Sequence, residues 1–146
     1  MKFLLWDSLN AFTKLYDDIL QPVGEKYHLT RAELDILLFL ANNPQYDRAA
    51  DIIEVRKVAK SHVSASVKEL LAKGYLKGTY DDGNQRDIHL HVTKKADSII
   101  SDGRREQDKF RKTIFKGMSQ TEMNALDRSL QKLIQNAEQY YEDKTK

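Results

Sequence analysis

The chain has 146 residues, 24 Lys or Arg against 22 Asp or Glu, and a formal net charge of +2, so it has the length of one domain with a single core. Hydrophobic residues make up 40% and charged residues 32%, the balance of a soluble, helix-rich protein. The absence of cysteine excludes disulfides, a thiolate nucleophile and a cysteine-based redox switch. No apolar run approaches the roughly 18 residues a membrane span needs. In the opening MKFLLWDSLN, Asp7 interrupts the apolar run Phe3 to Trp6, which does not read as a secretion signal. A cytoplasmic protein without membrane contact is expected.

Leu5, Leu9, Phe12, Tyr16, Ile19, Leu20 and Val23 recur at helical spacing and predict a first helix from about Phe3 to Tyr27. Pro22 should kink it or break it near Leu20. Thr30-Arg31-Ala32-Glu33 is a capping box that starts a second helix, Arg31 to about Ala41. Leu34, Ile36, Leu37, Leu38, Phe39 and Leu40 make it apolar over more than half its circumference, as befits a central core helix. Asn42-Asn43-Pro44 ends it.

A short third helix is expected from Asp47 to about Val55, packed through Ala49, Ala50, Ile52, Ile53 and Val55. Arg56, Lys57 and Lys60 follow in the turn, where phosphate contact and plain solvation are both open. Ser61 to Lys73 reads as a fourth helix with Ser61 as a candidate cap and Gly74 as its stop. Val63, Val67, Leu70 and Leu71 form its apolar face. The other side carries Ser61, His62, Ala65 and Lys68 with Ser64 at the edge, all small or hydrogen-bonding. A helix entering a DNA groove needs that composition, because base edges ask for short donors and acceptors and phosphates for cations. Taken alone, the helix favours the plainer reading of an ordinary solvated face; the hairpin directly behind it changes the balance.

Behind this helix, Tyr75 to Tyr80 and Ile88 to Val92 predict a hairpin with the tip Asp81-Asp82-Gly83-Asn84. Ile88, Leu90 and Val92 alternate with Asp87, His89 and His91, so one face should be buried and one open. Arg86 stands where the tip meets the strand, a place from which an arginine can reach the minor groove. From Arg56 to Lys95 there are nine Lys or Arg against four Asp or Glu, an excess of five that leaves the rest of the chain at −3. A basic middle between acidic ends is the footprint expected of a DNA-binding segment, and chance clustering gives an excess of this size as well.

Thr93 opens a long helix, about Lys94 to Lys116, apolar at Ile99, Ile100, Phe110, Ile114 and Phe115. Ser101 to Lys109 carries no apolar side chain, as in a helix that leaves its own domain to reach a partner. After Gly117, Ser119-Gln120-Thr121-Glu122 is a second capping box. The last helix places Met123, Leu126, Leu130, Leu133, Ile134, Ala137 and Tyr141 on one face, nearly a heptad seam.

The run Ala50-Asp51-Ile52…Ser61-His62-Val63-Ser64…Leu70…Gly74-Tyr75-Leu76, with Asn84-Gln85-Arg86-Asp87…Val92-Thr93 behind it, resembles the MarR family of winged helix-turn-helix regulators. The order of the flanking helices matches as well. Asn84 stands at a wing position that is often acidic in the family, and Ala96 where a glycine is common. The resemblance implies a mainly α fold with a small β-hairpin wing. It places a DNA-binding lobe at about 30–95 and a helical dimerisation region at 1–29 and 96–146 of one MarR-type domain. It also implies a homodimer, in which the terminal helices pair through Leu5, Leu9, Phe115, Met123, Leu126, Leu130, Leu133 and Ile134. Double-stranded DNA with a palindromic operator is the expected partner, with half-sites about one turn apart. Its contacts would come from Lys60, Ser61, His62, Ser64, Ala65, Lys68 and Arg86. Repression relieved by a small-molecule effector is also implied, with Trp6, Phe12, Tyr16 and Leu38 as candidate wall residues. Aromatics at such spacing are more often core than pocket.

No cofactor is expected. His89 and His91 share a strand face, but no cysteine helps them and Asp87 is the acid near them, short of the four ligands of a structural zinc site. No phosphate loop, nucleophile elbow or zinc-protease motif occurs, so an enzyme is not expected. The rival readings are a winged-helix protein-interaction module and a metal-responsive regulator.

Overall fold

The computed structural model describes residues 4–56 and 58–146; Phe3 and Lys57 lie outside the described residues. In order the elements are α1 (Leu4–Tyr27), α2 (Arg31–Asn42), α3 (Ala49–Arg56), α4 (Lys60–Ala72), β1 (Leu76–Thr79), β2 (His89–Val92), α5 (Asp97–Ile114) and α6 (Gln120–Lys144). A 3-10 turn, Lys94–Ala96, leads into α5. The fold is mainly α with an antiparallel two-stranded wing behind a helix-turn-helix, the class expected. The chain forms two compact units, Met1–Phe110 and Arg111–Lys146. No helix of the described residues is long and apolar enough to cross a membrane.

The core of the first unit gathers on α2. Leu34, Leu37 and Leu38 are fully buried with Leu20 of α1, Ile52 of α3, Val63 and Leu70 of α4, and Ile99 of α5. The helix starts where sequence predicts, because Thr30 closes a capping box. Its hydroxyl accepts from the Glu33 N–H (3.1 Å) and the Glu33 carboxylate from the Thr30 N–H (3.3 Å). Two donors that a helix start would leave orphaned are satisfied, a contribution of about 1 kcal/mol.

Three sequence expectations change. Helix α1 runs through Pro22 without a break. Leu20 and Val23 are both buried beside the proline, so packing outweighs the lost hydrogen bond, and the carbonyl it frees belongs to exposed Asp18. Helix α1 ends instead at His28, in the left-handed region (φ 55°), where the Leu29 N–H returns to the Gly24 carbonyl at 2.8 Å. Helix α3 starts at Ala49, not Asp47. Arg48 forms an antiparallel bridge with His89, and the Leu90 N–H donates to the Asp47 carbonyl at 2.6 Å. The segment before α3 therefore lies along the wing as extended chain.

The third change concerns the polar middle of α5, which docks on its own unit. Asp102 accepts from Lys26 (2.8 Å) and the Tyr27 hydroxyl (2.7 Å). Arg104 donates to the Asn42 side chain and the Ala41 carbonyl, both at 2.9 Å, and Gln107 donates to the Tyr16 hydroxyl at 2.9 Å. Among them Gly103 is buried, and a Cβ there would lie 2.6 Å from a Leu38 methyl. Polar pairs with one small residue at the closest approach replace the apolar stripe that periodicity looks for.

In the second unit, α6 starts at a capping box in which the Ser119 hydroxyl accepts from the Glu122 N–H (3.1 Å) and the Glu122 carboxylate from the Ser119 N–H (2.9 Å). No residue of α6 is buried. Leu126, Leu130, Leu133 and Ile134 are 39–55% exposed on the predicted seam, while Phe115 and Met123 are half-buried.

Candidate nucleic-acid interface

Helix α4 has the two faces its sequence describes. Val63, Val67 and Leu70 are buried, joined by Ser66, and Leu71 is half-buried. Ser61, His62, Ser64, Ala65 and Lys68 are all exposed, as is Lys60. The helix starts at Lys60, one residue before the sequence expectation, with Ala59 at the N-cap and no side-chain cap. Ser61 is therefore not the cap; it sits inside the first turn with its side chain exposed. The first turn holds no acidic residue, so the positive end of the helix dipole faces solvent without compensation. At the other end, Gly74 (φ 81°) stops α4, with the Tyr75 N–H returning to the Leu70 carbonyl at 3.0 Å.

The wing pairs Leu76 with Val92, Lys77 with His91, Gly78 with Leu90 and Thr79 with His89. Leu76 and Leu90 turn inward at 3% exposure each. At its tip the Asn84 side-chain oxygen accepts the Arg86 backbone N–H at 2.9 Å, closing an Asx-type turn. Asn84 thus closes the turn without adding a charge beside Arg86. The Arg86 side chain is exposed. Ala96, where a glycine is common, is fully buried before α5.

The nine basic residues of the middle segment divide by role. Lys73 donates to the Glu33 carboxylate (2.9 Å) and the His28 carbonyl (3.2 Å), tying the end of α4 to the starts of α2 and its loop. Burial raises the Glu33 pKa, but the Lys73 and Thr30 hydrogen bonds outweigh it and hold the carboxyl below its ordinary range. Lys95 donates to the Lys73 carbonyl (2.6 Å) and lies over the Tyr75 ring (5.0 Å). Among the described residues, Arg56, Lys60, Lys68, Lys77, Arg86 and Lys94 are exposed and carry no ion-pair partner. Lys57 lies outside the described residues. The α4 candidates share one helix and its open side; Arg86 stands apart on the wing turn.

The open face expected of the second strand is not open at His89. Its side chain is 15% exposed, with Nδ1 3.0 Å from Asp47 and Nε2 3.0 Å from Asp81. His91 is exposed and its Nε2 lies 2.8 Å from the Thr79 hydroxyl. Among the described residues, no group of three or more His, Asp or Glu could hold a metal ion.

Among the described residues, the four candidate effector residues are placed as follows. Leu38 is buried under Gly103. Tyr16 packs edge-on against Phe110 (5.0 Å), under the Arg31 guanidinium (4.5 Å). Trp6 and Phe12 are 60% and 46% exposed. One cleft of about 280 Å³ lies between α2, α3 and the start of α4, lined by Ile36, Phe39, Ile52, Val55, Arg56 and His62 among others. A second, of about 620 Å³, lies between α1 and α2 beside Asp17, Glu25, His28 and Arg31. None of the four candidates lines either cleft.

Residues 27–87, which span α2 to the wing tip, match the MarR family model. Over that segment the chain is similar to the MarR family, and it folds there as a winged helix. The fold of 93% of it is similar to 89% of a MarR-family transcriptional regulator from Listeria monocytogenes crystallised with 26-mer DNA, at 21% identity and a TM-score of 0.81. A MarR transcriptional regulator from Methanosarcina mazei Go1 gives 14% identity and a TM-score of 0.77, over 95% of this chain and 99% of that one. A MarR protein from Peptoclostridium difficile gives 16% and 0.81, over 96% and 91%. No curated protein sequence matches the chain. The matched segment contains α4 and the β1–β2 turn, and the fold is similar to that of these regulators.

Proposed function

We propose that the protein is a transcriptional repressor that binds a palindromic operator as a homodimer. It is one MarR-type domain, with the DNA-binding lobe at 30–95 and the dimerisation helices at 1–29 and 96–146. The observation that carries the reading is the solvent side of α4: short polar residues and Lys68 beside an uncapped helix start, with no acidic residue in the first turn. A helix start of this kind suits a phosphate oxygen, and its small face suits close approach to base edges. The similar Listeria regulator was crystallised with DNA. Lys60, Ser61, His62, Ser64, Ala65 and Lys68 would enter the major groove, with Arg86 reaching the flanking minor groove.

Release by a small molecule is the accompanying proposal. An effector shifts the lobes only by its differential affinity for the DNA-competent and incompetent arrangements. The test of DNA binding is its salt dependence. Contacts to several phosphates give a steep linear fall of log affinity with log salt, and Ala65→Glu should abolish binding while the fold stays intact, since Ala65 is exposed. A flat salt response, or normal binding by Ala65→Glu, would leave the protein-interaction module as the better reading.

A further inference from the structure

Asp47, His89 and Asp81 come from three places: the extended segment before α3, the start of β2 and the wing turn. Both imidazole nitrogens have a carboxylate oxygen at 3.0 Å. A carboxylate only accepts, and a neutral imidazole has a single N–H to give. Only the protonated ring can satisfy both partners. We propose that this triad is a pH-sensitive latch that fixes the wing turn against the helix-turn-helix, closed when His89 is protonated and open when it is neutral.

The neighbourhood fixes which contact lets go. Asp47 stays joined to β2 without the imidazole, because its carbonyl accepts the Leu90 N–H at 2.6 Å. Asp81 has no comparable tie to β2; its carbonyl accepts only within the turn, from the Asn84 N–H. The Asp81 side chain is 66% exposed against 40% for Asp47, so water replaces its bond more readily. The charged and titratable groups around His89 are these two carboxylates, Arg48 directly opposite in the bridge, Asp87 and His91 on its own strand, and Lys77 opposite His91. Thr79, the direct partner on β1, carries no charge. The Asp81 and Asp47 carboxylates raise the His89 pKa above the ordinary imidazole range, against partial burial that lowers it. A raised imidazole pKa means the latch is fully closed below the unfolded-state value and is lost as pH rises through the folded value. Opening releases Asp81 next to Asp82 at the wing tip and removes one positive charge from the wing. Resting on the DNA-binding reading, this makes operator affinity fall as pH rises.

Side-chain NMR titration of the full chain without DNA tests the latch itself. The His89 midpoint is expected above that of the same histidine in a short unstructured peptide, and to fall in Asp81→Asn, with the backbone amides of residues 81–86 moving at the same midpoint. A peptide-like midpoint, or one unmoved by Asp81→Asn, overturns the latch. Operator affinity then tests the coupling. At constant ionic strength a roughly two- to fivefold loss between about pH 6 and about pH 8.5 is expected, the effect of one uncompensated exposed charge. That loss should shrink in both His89→Gln and Asp81→Asn; an undiminished loss in both overturns the coupling. A chain that binds no DNA at any pH would count against the repressor reading, while the titration still decides the latch.

Discussion

Glu33 is the residue on which three segments converge. Its side chain is 5% exposed, and it is paired with Lys73, whose own side chain is 33% exposed. Lys73→Met would strand a buried carboxylate with only Thr30 for company and should cost about 1–3 kcal/mol, read as a lowered melting temperature. Because the folded-state pKa of Glu33 is depressed, its stabilising contribution is present above the unfolded carboxyl pKa and is lost as pH falls through the folded value. The wild-type melting temperature should therefore fall in acid, and the gap to Lys73→Met should narrow there. Equal stability of the two at neutral pH would contradict the pairing. Arg86 makes the opposite case: its backbone is held by Asn84 and its guanidinium is exposed, so Arg86→Ala should leave folding unchanged. Operator affinity should drop about tenfold, a loss of the order of one good contact. Neither the Lys73 role nor the His89 clamp could be read from sequence. Lys73 lies 40 residues from Glu33 and His89 lies 42 from Asp47, and residue spacing reports only neighbours along an element.

Elements were legible where their signals are local. Both capping boxes and the glycine stop of α4 sit within a few residues of the structure they cause. The docking of α5's polar middle on α1 and α2 has no signature in the sequence, because hydrophobic periodicity is blind to a helix held by hydrogen bonds. Gly103 is the part of that contact most open to test. Gly103→Val would drive its side chain into Leu38 and should cost about 1–3 kcal/mol by overpacking. Adding Leu38→Ala should recover part of the loss, measured by a double-mutant cycle. Simple additivity of the two changes would mean that α5 and α2 do not meet there. Pro22 teaches the same lesson: burial of Leu20 and Val23 carries α1 past a residue that local propensity reads as a break.

On the scale of the whole molecule, two apolar surfaces stand out: Leu4, Trp6, Leu9 and Phe12 on α1, and Leu126, Leu130, Leu133 and Ile134 on α6, each residue at least 39% exposed. Surfaces of this kind mark protein contacts, and a second copy of the chain is the proposed cover. Since Leu130 is 43% exposed, Leu130→Asp should leave the helix content of the chain unchanged while sedimentation shows the dimer dissociating into monomers. A dimer as tight as wild type would remove α6 from the interface.

The central claim is that two α4 helices read one DNA site together. Selection of bound sequences from random duplex DNA, at physiological salt, tests it most directly. An enriched palindrome with half-sites about one helical turn apart is the expected result. Enrichment of no sequence, or of an unpaired single half-site, would contradict a dimeric DNA reader.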